Sequence, residues 1–213
     1  MIEPALFLLS CDGQNERREE SVKEIARVFG HRRLNIVTGA NKDAVDWQHN
    51  LVSEGPEWMR PGEICCASGH LIMAMRFLQT GLPYGLFFED DIKLLKGAGD
   101  YFHAIEAAQC YADAGSDKWH WLNFEFMFPN DEKNRPYPLK ESSKPIFRAH
   151  MVSFGTACYA LTVEGALEVL QQNIPIRMPS DHILRFGSDN NHVFAFNTWC
   201  AYADQRGAPS LIR

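Results

Sequence analysis

The stretch "YGLFFEDDIKLL", residues 84–95, joins the pattern of a buried strand to three consecutive carboxylates. Residues 86–88, Leu-Phe-Phe, predict a strand that is covered on both faces. Glu89, Asp90 and Asp91 follow directly, and adjacent carboxylates repel one another unless solvent, a basic partner or a metal ion offsets their charge. Because apolar residues resume at once, a solvated turn is the weaker interpretation, and the triplet predicts a charged site.

The position of the triplet suggests which ligand it serves. Alternation along a strand predicts that Glu89 and Asp91 share one side while Asp90 points to the other. In an open α/β sheet, ligands bind outside the carboxyl ends of the strands. Carboxylate oxygens select Mg²⁺ or Mn²⁺ rather than zinc, and such ions usually also bind substrate phosphates. The triplet therefore predicts a magnesium or manganese site.

The segments before the triplet alternate between strand and helix patterns. We predict strands at 5–10 and 33–39, a helix at 15–30 between them, and a helix at 61–81 with Pro61 in its first turn. A polar region with short helical turns is expected at 40–60. Strand, helix and strand in this order indicate an α/β sheet.

The second half of the chain continues this alternation. The predicted elements are a helix at 101–115, a strand at 119–128, a strand or hairpin at 149–162, a helix at 163–173 that begins with a weak cap at Thr162, and a strand at 192–202. The Pro- and Lys-rich stretch 129–147 predicts a loop or lid. We find no linker or repeat, so we expect a single domain over residues 1–213.

Composition excludes several classes of protein. The 213 residues carry a formal charge of −6, which argues against nonspecific nucleic-acid binding. The six cysteines lack C-x-x-C spacing, which favours reduced thiols in a cytoplasmic protein. The apolar run near residue 5 is short and lacks a basic leader, so we expect a strand rather than a signal peptide, no transmembrane segment, and at most peripheral membrane contact.

Five segments together resemble glycosyltransferase family 25, the lipooligosaccharide galactosyltransferases and their collagen galactosyltransferase relatives. They occur in the family's order, and the resemblance covers residues 60–213, with a looser match over residues 5–40. The segments are "RPGEICCASGH" (60–70), "GLPYGLFFEDDIKL" (81–94), "FGTACYALTVEGALEVL" (154–170), "MPSDHIL" (178–184) and "ADQRGAPSLIR" (203–213).

The resemblance implies a GT-A type α/β fold, with a mixed central sheet flanked by helices. It also implies a D-x-D-like site for Mn²⁺ or Mg²⁺, and transfer of a sugar, commonly galactose, from a UDP-sugar to a glycan acceptor with inversion. Asp91 is the first metal ligand that it implies, followed by Glu89, with Asp90 reaching the ion through an irregular turn. His150, His182 and His192 are open alternatives for a further ligand.

Asp181 matches an acidic position of the family and is the candidate general base. An inverting transfer needs one carboxylate to take the proton of the acceptor hydroxyl on the face opposite the leaving group. Two alternatives stay open for Asp181, which are a cap of the following turn and a contact with the acceptor without proton transfer.

Four further residues in the first and third of these segments are candidates for binding the donor. Glu63 and His70 match the family's "GE" and final His, while Gly69 stands where Ser is usual; Gly155 and Thr156 fit a close approach of backbone to ligand. Each has a structural alternative, such as a first-turn carboxylate for Glu63, a buried structural imidazole for His70 and tight packing for Gly155.

Arg18 resembles the Arg of the family's opening strand-loop-helix and is the candidate contact to nucleotide phosphate or base. The alternative is a solvated helix face. The family's usual Asn-Leu-Asp-Arg start is "LLSCDGQ" here, residues 8–14.

The sequence therefore leaves three functions open. The first is a metal-dependent inverting glycosyltransferase that uses a UDP-sugar such as UDP-galactose and a glycan acceptor such as lipopolysaccharide core. The second is a metal-dependent phosphoesterase or nucleotidyltransferase, which would usually carry more His and Asp ligands at short spacing. The third is a catalytically silent GT-A-like domain that binds a nucleotide or glycan.

Overall fold

The computed structural model describes eight stretches of the chain. They are residues 3–11, 13–39, 59–115, 119–125, 145–149, 155–182, 195–198 and 200–206.

Nine strands and four helices alternate along these residues. The strands are β1 Ala5–Ser10, β2 Leu34–Thr38, β3 Tyr84–Glu89, β4 Ile92–Leu94, β5 Trp121–Asn123, β6 Ile146–Ala149, β7 Cys158–Thr162, β8 Ala195–Thr198 and β9 Ala203–Gln205. The helices are α1 Asn15–Phe29, α2 Pro61–Leu78, α3 Ala98–Gly115 and α4 Val163–Asn173, and a short 3-10 helix spans Ser180–His182.

Seven of the strands form one mixed sheet in the order β2-β1-β3-β7-β5-β8-β6. Strand β1 is parallel to both β2 and β3, while β7 is antiparallel to both β3 and β5. The short strands β4 and β9 pair antiparallel in a separate sheet. The predicted fold class, a mixed central α/β sheet flanked by helices, is confirmed.

Helices cover both faces of the large sheet. Phe7 and Phe87 face α2 and α4, whereas Leu8 and Phe88 face α1 and α3, and both sets are fully buried. This alternation along β1 and β3 explains why their sequences are apolar at every position. The site at the end of β3 therefore lies between two helical layers.

An aromatic ladder crosses four neighbouring strands on the α2 side. Phe7 stacks on Phe87 at 5.3 Å between ring centroids, Phe87 on Tyr159 at 5.0 Å, and Tyr159 on Trp121 at 4.0 Å. Each such pair contributes about 1 kcal/mol beyond the area it buries. The ladder fixes the ring of Tyr159, whose hydroxyl reaches into the candidate site.

Local capping explains where α2 and α4 begin. The backbone N–H of Arg60 donates to Glu63 Oε2 at 2.7 Å, which caps α2 next to Pro61. Thr162 Oγ1 accepts from the backbone N–H of Gly165 at 3.1 Å and donates to the carbonyl of Trp119 at 2.8 Å. The cap predicted at Thr162 is confirmed, and this hydroxyl satisfies two backbone groups at once.

Several predicted strands are shorter than expected. The strand predicted at 119–128 ends at Asn123. Of the strand or hairpin predicted at 149–162, residues 158–162 form β7 and Ala149 ends β6, and these two strands do not pair with each other because β5 and β8 lie between them. Residues 150–154 of this prediction lie outside the described residues, so the hairpin interpretation stays a prediction. Gly155 lies before β7 with φ of +108°, a backbone conformation that side chains disfavour.

Some predictions lie outside the described residues. These include the polar region 40–58 and most of the loop or lid at 129–147, of which only residues 145–147 are described, where β6 begins. The single domain predicted over 1–213 stays a prediction. Among the described helices, none is both long and apolar enough to cross a membrane.

Candidate functional site

The carboxyl edge of the sheet gathers the candidate residues. Strands β1, β3 and β5 run in the same direction and end near this edge, and the antiparallel β7 begins there. Backbone hydrogen bonds from Glu89 N to Ala157 O at 3.1 Å and from Phe124 N to Cys158 O at 3.1 Å continue the pairing beyond the strand ends. The acidic triplet thus lies beside the segment that leads into β7.

The triplet divides between two helices. Strand β3 ends at Glu89, which faces His70 on α2, while Asp90 and Asp91 form the turn that follows and both contact Arg17 on α1. The prediction that Glu89 and Asp91 share a side was wrong, because it assumed that the strand continues through Asp91.

Arg17 contacts two carboxylates of the triplet. Its Nη2 atom lies 2.9 Å from Asp90 Oδ1 and 3.1 Å from Asp91 Oδ2. Arg18, the candidate from the sequence, instead donates from Nη2 to Asn15 Oδ1 at 2.6 Å on the helix surface. Helical spacing contained this signal, because Arg17 lies four and eight residues before the buried Ser21 and Ile25.

Asp90 is buried, and both its side chain and its backbone carbonyl accept hydrogen bonds. Its Oδ2 accepts from the backbone N–H of Cys11 at 3.0 Å, and its carbonyl accepts from the hydroxyl of Ser21 at 2.7 Å. Burial raises the pKa of Asp90 above its ordinary value, although the Cys11 hydrogen bond and Arg17 oppose this rise. Asp90 therefore anchors the turn to β1 and α1.

The negative charge of Asp91 is less well compensated than that of Asp90. Burial, followed by the charge of Glu89, raises the pKa of Asp91 to about 6 despite Arg17. Among the described residues, Asp91 Oδ1 and Arg17 Nε are buried atoms without a hydrogen-bond partner. A buried carboxylate oxygen that lacks a donor, beside two other carboxylates, fits a hard divalent cation, and Glu89, Asp90 and Asp91 are the residues that would hold it.

A hydrogen-bonded network fixes Glu89 on the α2 side. His70 Nε2 lies 3.2 Å from Glu89 Oε1, and His70 Nδ1 lies 2.7 Å from the hydroxyl of Tyr159. The hydroxyl of Thr156 also donates to Glu89 Oε1. Burial raises the pKa of Glu89, but His70 and the Thr156 hydrogen bond outweigh it and hold that pKa below its ordinary value. Glu89 is therefore an anionic group in a fixed orientation.

Ser180 connects this network to Asp181. The Ser180 hydroxyl lies 3.4 Å from Thr156 Oγ1 and 3.4 Å from Cys66 Sγ. Asp181 follows in the 3-10 helix, and its Oδ1 lies 3.9 Å from His182 Nε2. Burial raises the pKa of Asp181 while His182 opposes the rise. The structure thus brings Asp181 to the same edge as Glu89.

The other predicted donor-binding residues divide into two groups. His70 and Thr156 belong to the Glu89 network, and the carbonyl of Gly155 accepts from Asn123 Nδ2 at 3.1 Å beside it. Glu63 caps the first turn of α2 through Arg60. Its role towards a donor stays a prediction.

The histidines considered as further ligands are only partly described. His182 lies next to Asp181. His150 and His192 lie outside the described residues.

Glu125 is a site residue that the sequence did not single out. It lies two residues beyond β5, is 2 % exposed, and accepts from the backbone N–H of Ala157 at 2.7 Å through Oε2. Burial, then the charge of Glu89, raises the pKa of Glu125 to about 8. It therefore carries a proton at neutral pH, as an uncharged acid beside the triplet. A carboxylate directly after a buried strand was the available signal.

The comparisons identify the class of protein. The sequence matches the family described as glycosyltransferase family 25 (LPS biosynthesis protein) over residues 4–184. The chain therefore belongs to glycosyltransferase family 25, and the resemblance seen in the sequence is confirmed. No curated protein matches the sequence significantly.

Two solved structures are similar to the chain at low identity. One is described as a glycosyltransferase involved in the glycosylation of the major capsid of PBCV-1, with 11 % identity, a TM-score of 0.37, and coverage of 80 % of this chain and 67 % of that chain. The other is mouse xyloside xylosyltransferase 1 in its apo form, with 10 % identity, a TM-score of 0.41, and coverage of 90 % of this chain and 84 % of that chain.

Proposed function

We propose that this chain is a metal-dependent inverting glycosyltransferase that moves galactose from UDP-galactose to a glycan acceptor such as lipopolysaccharide core. Family membership supports a glycosyltransferase with a sugar donor and a glycan acceptor. The nature of the donor, the acceptor and the metal rests on the resemblance and on the chemistry of the edge. The cytoplasmic location stays a prediction from the sequence.

The observation that carries the proposal is the incomplete compensation of the charge of Asp91. One of its carboxylate oxygens is buried without a donor in the described residues, and its pKa is raised to about 6. Three carboxylates at the carboxyl edge of an α/β sheet match the ligands of Mn²⁺ or Mg²⁺. Such an ion would neutralise the negative charge that builds on the diphosphate as the glycosidic bond breaks.

The residues around the triplet have separable roles in this proposal. His70 and Thr156 hold Glu89, and Arg17 orients Asp90 and Asp91. Asp181 lies next to Ser180, whose hydroxyl contacts Thr156, so it is on the same edge and is the proposed base for the acceptor hydroxyl.

Donor hydrolysis in the absence of acceptor tests this proposal. We expect slow release of free galactose from UDP-galactose that requires Mn²⁺ or Mg²⁺ and is lost in Asp91→Asn. The matched control is Asp100→Asn, which alters an exposed carboxylate on α3. A panel of other nucleotide sugars identifies the donor if UDP-galactose is not hydrolysed.

Thermal stabilisation separates the alternatives. Stabilisation by UDP only when Mn²⁺ is present, together with donor hydrolysis, supports the transferase, because a ligand of the folded state raises its stability by mass action. Stabilisation without hydrolysis of any nucleotide sugar indicates a silent binding domain. Turnover of phosphoesters without a sugar donor contradicts the proposal and indicates a phosphoesterase.

A further inference from the structure

Cys66, His70 and Glu89 converge on one point beside the acidic triplet. Cys66 and His70 are four residues apart on α2, so they lie on the same face of the helix. One ligand atom from each of the three residues, the thiol sulfur, an imidazole nitrogen and a carboxylate oxygen, lies within 4.8 Å of the other two. His70 is 3 % exposed and the Glu89 side chain is 18 % exposed, so the cluster is enclosed but reachable.

We propose that Cys66, His70 and Glu89 bind a zinc-class divalent ion, at a position different from the hard-cation position of Asp90 and Asp91. Sulfur, imidazole nitrogen and one carboxylate oxygen form a donor set that selects Zn²⁺ or Co²⁺ over Mg²⁺ or Mn²⁺. Three protein ligands leave a fourth coordination position open for water or a substrate group.

The surroundings of His70 prepare it as a ligand. Its Nδ1 lies 2.7 Å from the hydroxyl of Tyr159, whose ring is held in the aromatic ladder, and this leaves Nε2 facing Glu89 at 3.2 Å. With an ion on Nε2, the proton of the neutral ring lies on Nδ1 and is donated to Tyr159. Metal-bound histidines are usually oriented by such a second hydrogen bond.

The required rearrangement is small. Ligand atoms around tetrahedral zinc are separated by about 3.5 Å, so the widest separation in the cluster must close by roughly 1 Å. Rotation of the half-buried Cys66 side chain can supply this movement, since its thiol contacts Ser180 only at 3.4 Å. The backbone of α2 and the end of β3 need not shift.

Glu89 is shared by the two positions. If the proposed transferase function is correct, a zinc-class ion that engages Glu89 withdraws it from the triplet and lowers manganese-dependent transfer. This consequence rests on the proposed function, whereas the binding site itself does not. The test therefore uses a readout that is independent of activity.

Cobalt titration of the full chain tests the site. After treatment with a chelator and a reductant, we expect one equivalent of Co²⁺ to produce a near-ultraviolet thiolate-to-cobalt charge-transfer band, and Zn²⁺ to abolish it by displacement. Cys66→Ser should remove this band, and His70→Gln should weaken Co²⁺ binding at least about 10-fold. Circular dichroism confirms that each variant is folded.

Two cysteine controls identify the thiol that binds. Cys110→Ser alters an exposed thiol on α3 and should leave the spectrum unchanged. Cys11→Ser tests the thiol at the end of β1, which is also close enough to Cys66 to influence its electrostatics. A band that survives Cys66→Ser, or one that disappears in Cys11→Ser alone, overturns the assignment, as does the absence of any band in the wild-type protein.

Discussion

Arg17 on helix α1 places its Nη2 atom 3.1 Å from Oδ2 of Asp91, across the gap between that helix and the turn after strand β3. The same nitrogen lies 2.9 Å from Asp90, so one guanidinium serves two carboxylates. Glu89 adds a third negative charge, and the pKa of Asp91 stays raised. Among the described residues, the three carboxylates of the triplet therefore outnumber the single guanidinium that contacts them, which is the condition that favours a further cation.

Replacement of Arg17 by Gln should destabilise the protein in a pH-dependent way. At about pH 7.5 the Asp91 carboxylate, whose pKa is about 6, is mainly charged. Loss of the largely buried guanidinium of Arg17 should then lower the free energy of unfolding by about 2 kcal/mol. At about pH 5, below the Asp91 pKa of about 6, that carboxyl is protonated and the loss should be smaller. Urea denaturation at both pH values measures the difference.

Arg18→Gln is the matched control for this prediction, because Arg18 contacts Asn15 and not the triplet. Its effect should stay within about 0.5 kcal/mol at both pH values. Equal losses in the two variants would show that the contact of Arg17 with the triplet does not stabilise the fold.

Glu125→Gln should flatten the dependence of stability on pH. The pKa of Glu125 is raised from 4.5 to about 8, so between these values the folded state holds a proton that the unfolded state has released. The free energy of unfolding of the wild type therefore falls as pH rises through this window, by at most about 5 kcal/mol from this group. Glutamine is neutral throughout, and its amide oxygen can still accept from Ala157.

Chemical denaturation at several pH values between about 5 and 8.5 checks this prediction. The stability of Glu125→Gln relative to wild type should increase with pH by at least about 1 kcal/mol. Glu106→Gln, at an exposed position on α3, should follow the wild-type curve. Parallel curves for Glu125→Gln and wild type would mean that Glu125 is charged in the folded state.

Gly69 and Leu9 should show strong energetic coupling. A Cβ atom at Gly69 would lie 2.4 Å from Leu9 Cδ1, so the glycine in α2 leaves room for a leucine that is 5 % exposed. Gly69→Ala alone should destabilise by about 1 kcal/mol, since overpacking outweighs the gain in helix propensity. After Leu9→Ala the same change should stabilise by up to about 1 kcal/mol.

A double-mutant cycle measured by urea denaturation gives this coupling. Gly99→Ala in α3 is the control, because an added Cβ there meets nothing within 4 Å. Additive effects of the changes at 9 and 69 would contradict the packing argument.

The sequence predicted well those features of the structure that depend on a single helix or strand. The bounds of β1, α1 and α4 follow from apolar runs, helical spacing and nearby glycine or threonine, and the position of the triplet at the end of β3 follows from the apolar residues before it. These features depend on local periodicity, which can be recognised without knowing which elements pack against each other.

The sequence was less informative where two distant elements meet. Arg17 was passed over for its neighbour Arg18, because the buried face of α1 is fixed only when that helix packs beside the turn after β3. Glu125 looked like part of a longer strand, and its raised pKa results from burial and from the charge of Glu89, although the hydrogen bond from Ala157 opposes the rise. The positions of β6 and β7, which lie apart in the sheet, likewise depend on which strands pair.

Asp181→Asn should separate binding from chemistry. If Asp181 takes the proton of the acceptor hydroxyl, its amide analogue should lower the rate of sugar transfer at least about 100-fold at saturating acceptor. Stabilisation by UDP with Mn²⁺ should be unchanged, because the triplet and its network stay intact. Transfer rates at several acceptor concentrations and thermal denaturation with UDP measure the two properties.

The alternative roles of Asp181 predict different kinetics. A residue that only contacts the acceptor should raise KM for the acceptor while kcat changes little, because it contributes binding that is equal in the ground and transition states. A residue that only caps the 3-10 helix should leave kcat and KM unchanged in Asp181→Asn, because asparagine caps as well as aspartate, whereas Asp181→Ala should lower the thermal stability with or without UDP. Loss of kcat with both KM and stability preserved is the result that a general base requires, and Glu106→Gln, at an exposed position on α3, should leave all three quantities unchanged.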